Sequence, residues 1–436
     1  MLYLPCLWRR YALGLGLSSE ARARLADFKP HVAHFTVCDL LGMDGISWCK
    51  ANGVAMVGTW HSNYCEYVKF YSGAWWLTPV LRRYIQQFYG AFATTFVPTD
   101  YMRIKLSAEG YDRFTDMQIW GRGIDLDRFN PATRRSEAFR RRVCGVGQRA
   151  DGQEELVIIW TGRLVPEKRP DIWKDVVTAL MKEGHPVLGL VVGVGPEQAS
   201  LEGIPGITVC GWLSGLDLAE AYASADILLF PSDVETFGNV TLEGLGSGIP
   251  AVVEGSCSRH LVTDGVEGFT VHQEIDDPSD KAAYTACVER YLDKTRRLVV
   301  DPALRKQCGA NALKKAAQFS NTAVQTRMID NYEAAHASLV AAAQAEVSDP
   351  NDKALGHGGR RGHTSRVMLL CCWWRSARAV KTFTKDAAHV LFQWLARIVI
   401  FMLWLLLGLP HVTSTNLADT NVRHAGDADH VTRIEV

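Results

Sequence analysis

Short runs of β-branched and aliphatic residues recur along this chain, each closed by a turn residue. In the first part they fall at His31–Val37, Val54–Thr59, Phe92–Pro98 and Met117–Trp120, with a helix expected around Leu77–Tyr89. In the second they fall at Leu156–Trp160, Val187–Val192, Ile207–Val209, Ile227–Phe230 and Ala251–Val253, and helical stretches follow most of them. Strands joined by helical crossovers must lie parallel, with both faces of their sheet covered. The alternation therefore predicts an α/β chain built on parallel sheets. With 436 residues there is room for two such domains and an extension. From Asp280 to about Ala345 the sequence is Ala-rich and helical in pattern.

Charge and cysteines remove several classes. Lys+Arg and Asp+Glu both number 47, so no global field draws nucleic acid. The 11 cysteines are odd in number and contain no Cys-x-x-Cys, which argues for a reducing compartment and against a disulfide framework or a zinc site. Asp125-Leu-Asp127 is a pair of a kind that arises often by chance, and no metal is expected there. Gly193-Val-Gly195 lacks the third glycine of a dinucleotide fingerprint, and neither a Walker loop nor a Gly-x-Ser-x-Gly elbow occurs. Asn239-Val-Thr241 matches a glycosylation acceptor but lies inside an expected helix.

Three segments carry chemistry. Ala225-Asp-Ile-Leu-Leu-Phe230 is a buried strand, ended by Pro231-Ser232, and Glu235-Thr-Phe-Gly-Asn-Val-Thr-Leu-Glu243 follows. The order is strand, acid in a loop, helix bearing an acid. The first turn of such a helix, at Gly238-Asn239, offers free N–H groups and a positive dipole end to a phosphate. A carboxylate accepts two hydrogen bonds at once, which suits a vicinal diol. On residue type alone, two surface Glu on a solvated helix would also account for this stretch. Leu156-Val-Ile-Ile-Trp-Thr-Gly162-Arg163-Leu-Val-Pro-Glu-Lys168 is strand, Gly turn and two cations. A planar fork and a mobile point charge together suit a pyrophosphate. Val57-Gly-Thr-Trp-His61-Ser-Asn-Tyr64 puts a histidine at the end of a strand, where open α/β sheets bind ligands.

Together these motifs resemble the retaining glycosyltransferases of family 4. The Glu-x7-Glu spacing with Phe-Gly, the Gly-Arg-Leu-x-x-Glu-Lys element, the His at a strand end and Ile119-Trp-Gly-Arg-Gly-Ile-Asp125 to Pro131 carry the resemblance, over about Ser18 to Ala345. It implies a GT-B fold: two Rossmann-like domains facing a cleft, here 1–133 and 153–345, with a hinge at 134–152 and a terminal bracing helix. The family begins with a strand and a Gly-rich loop, so the first domain is expected to lack its first β-α unit. Val194 stands where the family usually has Asp. The resemblance implies transfer of a hexose with retention, without metal or cofactor. Arg163, Lys168 and the helix end at Gly238-Asn239 would hold the donor diphosphate, Glu235 the sugar, and Glu243 the ribose. His61 would position the sugar. Gly162, Phe237 and Val240 complete the implied donor site. Within the family the motifs look most like GDP-mannose-dependent α-mannosyltransferases acting on glycolipids. A UDP-sulfoquinovose:diacylglycerol sulfoquinovosyltransferase, in which Leu would be expected in place of Phe237, is the second reading. An inactive GT-B membrane scaffold is the third.

The C-terminal part differs in composition. Residues 346–365 read as a flexible linker and 366–436 as a basic tail. Val390 to Leu409 is nearly all apolar, and twenty residues of helix span about 30 Å, the thickness of a bilayer core. Arg360, Arg361, Arg366, Arg375, Arg378, Lys381 and Lys385 precede it. The expectation is a membrane anchor, spanning or interfacial, with both domains in the cytosol.

Overall fold

The computed structural model describes residues 16–65, 76, 78–133, 140, 155–275 and 279–348. The expected hinge, apart from Arg140, and the apolar segment Val390–Leu409 lie outside the described residues. Among the described residues no helix is long and apolar enough to cross a membrane. The chain divides into two compact units. The first gathers Met1–Phe96, Leu106–Gln118 and the chain from Asp330 on; the second gathers Val97–Lys105 and Ile119–Ile329.

The sheet of the first unit has four strands in the order β1 (Val32–Phe35), β2 (Ala55–Thr59), β3 (Thr94–Val97), β4 (Asp116–Ile119), with β1–β2 and β2–β3 parallel. Each falls within or beside a run read from the sequence. Helix α1 (Ser19–Phe28) precedes β1, and α2 (Leu40–Asn52), α3 (Thr78–Tyr89) and α4 (Asp100–Ala108) lie between the strands in sequence. Asp39 caps α2 by accepting from the Gly42 N–H at 2.7 Å, and Gly53, left-handed at φ 66°, ends it. The core is aromatic: Phe35 stacks on Phe92 at 5.2 Å, and Trp60 packs on Tyr89 at 4.8 Å.

The second unit is a six-stranded, fully parallel sheet in the order β10 (Gly268–Val271), β9 (Ala251–Glu254), β8 (Ile227–Phe230), β5 (Leu156–Thr161), β6 (Val187–Val192), β7 (Ile207–Val209). The chain winds outward from β5 to β7, returns, and winds the other way from β8 to β10. The reversal lies between β5 and β8, the place where open α/β sheets bind ligands at the strands' C-terminal ends. All six residues of β5 are buried. The sequence pattern gave no strand at Gly268–Val271, where the structure adds β10 as an edge. Helices α5 (Pro170–Lys182), α6 (Gly215–Ala223), α7 (Asn239–Gly246), the short α8 (Gly255–Ser258), α9 (Lys281–Val300) and α10 (Pro302–Ala317) complete this unit. Helix α5 starts on Pro170 and buries Ile172, Trp173, Val176, Val177 and Leu180, one stripe at helical spacing.

The last helix, α11 (Asn321–Ser348), fills the end of the Ala-rich stretch and runs past Ala345 into the segment expected to be a linker. The division between the units falls inside it. On the first-unit side, the Tyr332 hydroxyl lies 2.6 Å from His34 Nδ1, and His34 Nε2 meets the Thr59 hydroxyl. Burial holds the His34 imidazole down at about 4, so it is neutral at pH 7.

Candidate functional site

The two strands at the reversal point, β5 and β8, carry the two motifs. Beyond β5 the chain turns at Gly162 (φ 145°), whose N–H donates to Val192 O at 3.0 Å. Leu164 N–H donates to Val194 O at 3.0 Å, which lays residues 162–164 along the loop after β6. The approach is so close that a Cβ on Gly193 would sit 1.8 Å from Gly162 O, and one on Gly195 would sit 2.2 Å from Leu164 O. This contact accounts for the Gly-x-Gly that the sequence left unexplained. Arg163 leaves this loop with a third of its side chain exposed, and its Nη2 is 3.9 Å from the buried Glu167 carboxylate.

Lys168 ends a 3-10 turn, Pro166–Lys168, and Arg169 follows at φ 53°, a left-handed conformation in a non-glycine residue. Arg169 is held there by Asp171 at 3.0 Å and by Gln273 Oε1 at 2.9 Å. The turn is thus fixed, and it aims Lys168 Nζ at Glu235 Oε1, with which it forms an ion pair. The Ser232 hydroxyl donates to the same oxygen at 2.9 Å. Glu235 stands in the loop after β8. Its neighbour Phe237 is buried against His260, with ring centroids 5.0 Å apart, and against Phe319 at 5.9 Å. Thr236 O accepts from Thr99 Oγ1 at 3.3 Å.

Gly238, at φ 96°, is the N-cap of α7 and brings no side-chain hydrogen bond to it. The N–H groups of the first turn therefore carry no side-chain cap, and Asn239 is exposed and Val240 half-buried beside them. A Cβ on Gly244 would come 2.7 Å from Leu228 and one on Gly246 would come 2.7 Å from Ile124, so the glycines seat α7 close to β8 and to the 119–133 segment. Glu243, one turn into the helix, is raised by burial to about 7, with the Tyr222 hydroxyl opposing that rise through a hydrogen bond. Thr161 Oγ1 in turn meets the Tyr222 hydroxyl at 2.7 Å. The Thr161–Tyr222 bond ties the end of β5 to α6.

The second unit thus brings Gly162, Arg163, Lys168, Glu235, Phe237, Gly238, Asn239, Val240 and Glu243 to the C-terminal ends of two adjacent strands. Cations, a helix N-terminus and two carboxylates lie there together, a set that can hold a diphosphate beside hydroxyl groups. His61 belongs to the first unit. It is half-buried just after β2, following Trp60, whose backbone N–H donates to Phe96 O at 2.8 Å. Sequence reasoning missed Ser232, Tyr222 and Thr161. A Ser three residues before a Glu in a Pro-started loop was the one available signal. Asp125 accepts from the N–H groups of Asp127 at 3.2 Å and Arg128 at 3.1 Å, which makes the Asp-x-Asp a turn element. Among the described residues no group of three His, Cys, Asp or Glu could hold a metal ion.

Two family models match the chain: one described as Glycosyltransferase Family 4 over residues 2–128, and one described as Glycosyl transferases group 1 over residues 155–294. Sulfoquinovosyl transferase SQD2 of Arabidopsis thaliana is 28% identical over 331 residues, which is 74% of this chain and 61% of that protein. A GDP-mannose-dependent alpha-mannosyltransferase of Mycobacterium tuberculosis is 31% identical over 260 residues, 58% of this chain and 63% of that protein. The chain therefore spans less than two thirds of either relative. Among solved structures, sucrose-phosphate synthase from Thermosynechococcus elongatus superposes with a TM-score of 0.57 at 19% identity, covering 73% of this chain and 77% of that one. A glycosyltransferase from Rickettsia africae gives 0.53 at 15% identity, covering 72% and 79%. Both share the fold.

Proposed function

Because the chain belongs to the family 4 glycosyltransferases of GT-B fold, we propose that it transfers a hexosyl group from a nucleotide sugar to a lipid or glycolipid acceptor with retention of configuration. The observation that carries this reading is the convergence of Arg163, Lys168 and the uncapped start of α7 at the reversal point, with Glu235 and Glu243 on either side. GDP-mannose is the donor we favour, supported by the resemblance to the GDP-mannose-dependent mycobacterial relative. UDP-sulfoquinovose is the second reading, supported by the plant relative, which matches more of this chain.

The acceptor hydroxyl attacks the anomeric carbon from the face that the diphosphate leaves. The anomeric C–O bond breaks, the new glycosidic bond forms, and the leaving phosphate oxygen takes the hydroxyl proton. Arg163, Lys168 and the N–H groups of α7 stabilise the charge that grows on that phosphate. Glu235 takes sugar hydroxyls and Glu243 takes the ribose diol. No metal or cofactor enters this scheme.

The test is calorimetry of the full chain with GDP-mannose, UDP-glucose and UDP-sulfoquinovose, followed by transfer to a glycolipid extract. Binding of one donor, lost in the Arg163→Ala, Lys168→Ala double variant, is the expected result. A double variant that transfers sugar at the wild-type rate refutes the site, and a wild type that binds a donor but transfers nothing favours the scaffold reading.

A further inference from the structure

The ion pair between Lys168 and Glu235 joins two groups to which the reaction gives different ligands. Lys168 is assigned to the diphosphate and Glu235 to the sugar, yet here each is the other's partner. Both are largely withdrawn from water, with side chains 16% and 13% exposed, so the attraction is only weakly screened. Neither end drifts freely. Lys168 stands on a turn closed by Lys168 N to Val165 O and Arg169 N to Pro166 O, both 3.0 Å, and Glu235 is pinned by the Ser232 hydroxyl at 2.9 Å. Both bonds use Oε1, and Oε2 carries no hydrogen bond among the described residues.

Resting on the nucleotide-sugar reading of this site, we propose that Glu235 is a release latch: it competes with the diphosphate for Lys168 and yields only when sugar hydroxyls engage it. A bound donor supplies both partners at once, the phosphate to Lys168 and the hydroxyls to Glu235, so the ion pair is exchanged without loss. After transfer the sugar has gone to the acceptor. Glu235 then has no hydroxyl to hold, returns to Lys168, and lowers the affinity for the nucleoside diphosphate that must leave. The same carboxylate thus favours the intact donor and disfavours the spent one. A residue that merely shaped the pocket would weaken both ligands when changed.

The probes are GDP and UDP, titrated by calorimetry into the full chain, with melting temperatures checked for each variant. Glu235→Gln removes the charge at constant shape and is expected to tighten the diphosphate that the wild type binds by about tenfold while weakening the intact sugar donor. Glu235→Asp keeps the charge but draws it back from Lys168, and should also tighten the diphosphate. In a Lys168→Met background both gains should vanish. Unchanged or weaker diphosphate binding by Glu235→Gln overturns the latch. So does a gain that survives undiminished without Lys168, or one absent from Glu235→Asp, since either would mean simple repulsion of an anion. A wild type that binds neither GDP nor UDP defeats the nucleotide-sugar reading itself, and the latch falls with it.

Discussion

Glu243 sits at an unusual point for a carboxylate. Its value is raised from 4.5 to about 7 by burial. A carboxyl raised on folding contributes most below the unfolded value, and that contribution is lost as pH climbs through the folded one, here between 4.5 and about 7. The shift corresponds to about 3 kcal/mol. Glu243→Gln is therefore expected to melt higher than the wild type at pH 8.5, with the gap closing toward pH 5. Equal gaps at both pH values would contradict the assignment. A diol prefers the ionised acceptor, so affinity for the proposed nucleotide-sugar donor should fall as pH drops through 7, and Glu243→Gln should flatten that limb. Arg163 belongs to the same scale. Its truncation to Ala should cost about 2–5 kcal/mol of transition-state stabilisation, read as a fall in kcat/KM. The placement of Arg163, Lys168, Glu235 and Glu243 beyond two buried strands was legible, because each motif follows a continuous apolar run. Tyr222 and Thr161 were not, since sixty-one residues separate them and only folding brings their hydroxyls together.

At the scale of elements, the loops after β5 and β6 behave as one part. Gly193→Ala would force a methyl onto Gly162 O from a backbone at φ 146°. The expected result is a stability loss of about 1–3 kcal/mol, together with weaker donor binding, because residues 162–164 must move. Calorimetry and melting on the same variant test this, and unaltered donor affinity would count against the coupling. Helix α11 is expected to respond to acid. His34 is lowered to about 4 from 6.5, so its contribution is complete above pH 6.5 and is lost as pH falls toward 4. At most about 3 kcal/mol is involved. Hydrogen exchange around Tyr332 should accelerate over that interval, and His34→Gln should remove the pH dependence. Strands with continuous apolar runs, such as Val187–Val192, were readable to the residue. Gly268–Val271 was not, because four residues behind a Gly turn carry no period long enough to separate strand from loop.

At the scale of the molecule, the apolar run Val390–Leu409 and its cationic flank make a prediction that rests on sequence alone. The full chain is expected to sediment with membranes and to resist carbonate extraction, whereas a chain ending at Ala345 is expected to be released. Retention of the shorter chain would place membrane affinity elsewhere. Class and strand direction were legible in both units among the described residues, because parallel strands with helical crossovers repeat one pattern. Segment ownership was not: nothing in the composition of Val97–Lys105 or Ile119–Thr133 says that they pack with the second unit, where Ile124 N–H donates to Phe319 O at 2.8 Å and Asn321 N–H donates to Ile124 O at 3.2 Å. That interleaving bears on protein engineering. A chimera that borrows the half bearing Arg163 and Glu243 by cutting once near residue 150 would leave behind Ile124, on which Gly246 is seated, and Thr99, whose hydroxyl bonds Thr236. Exchangeable parts in this protein are therefore sets of segments, and a graft that carries 97–105 and 119–133 along should keep the specificity of its parent where a single crossover would not.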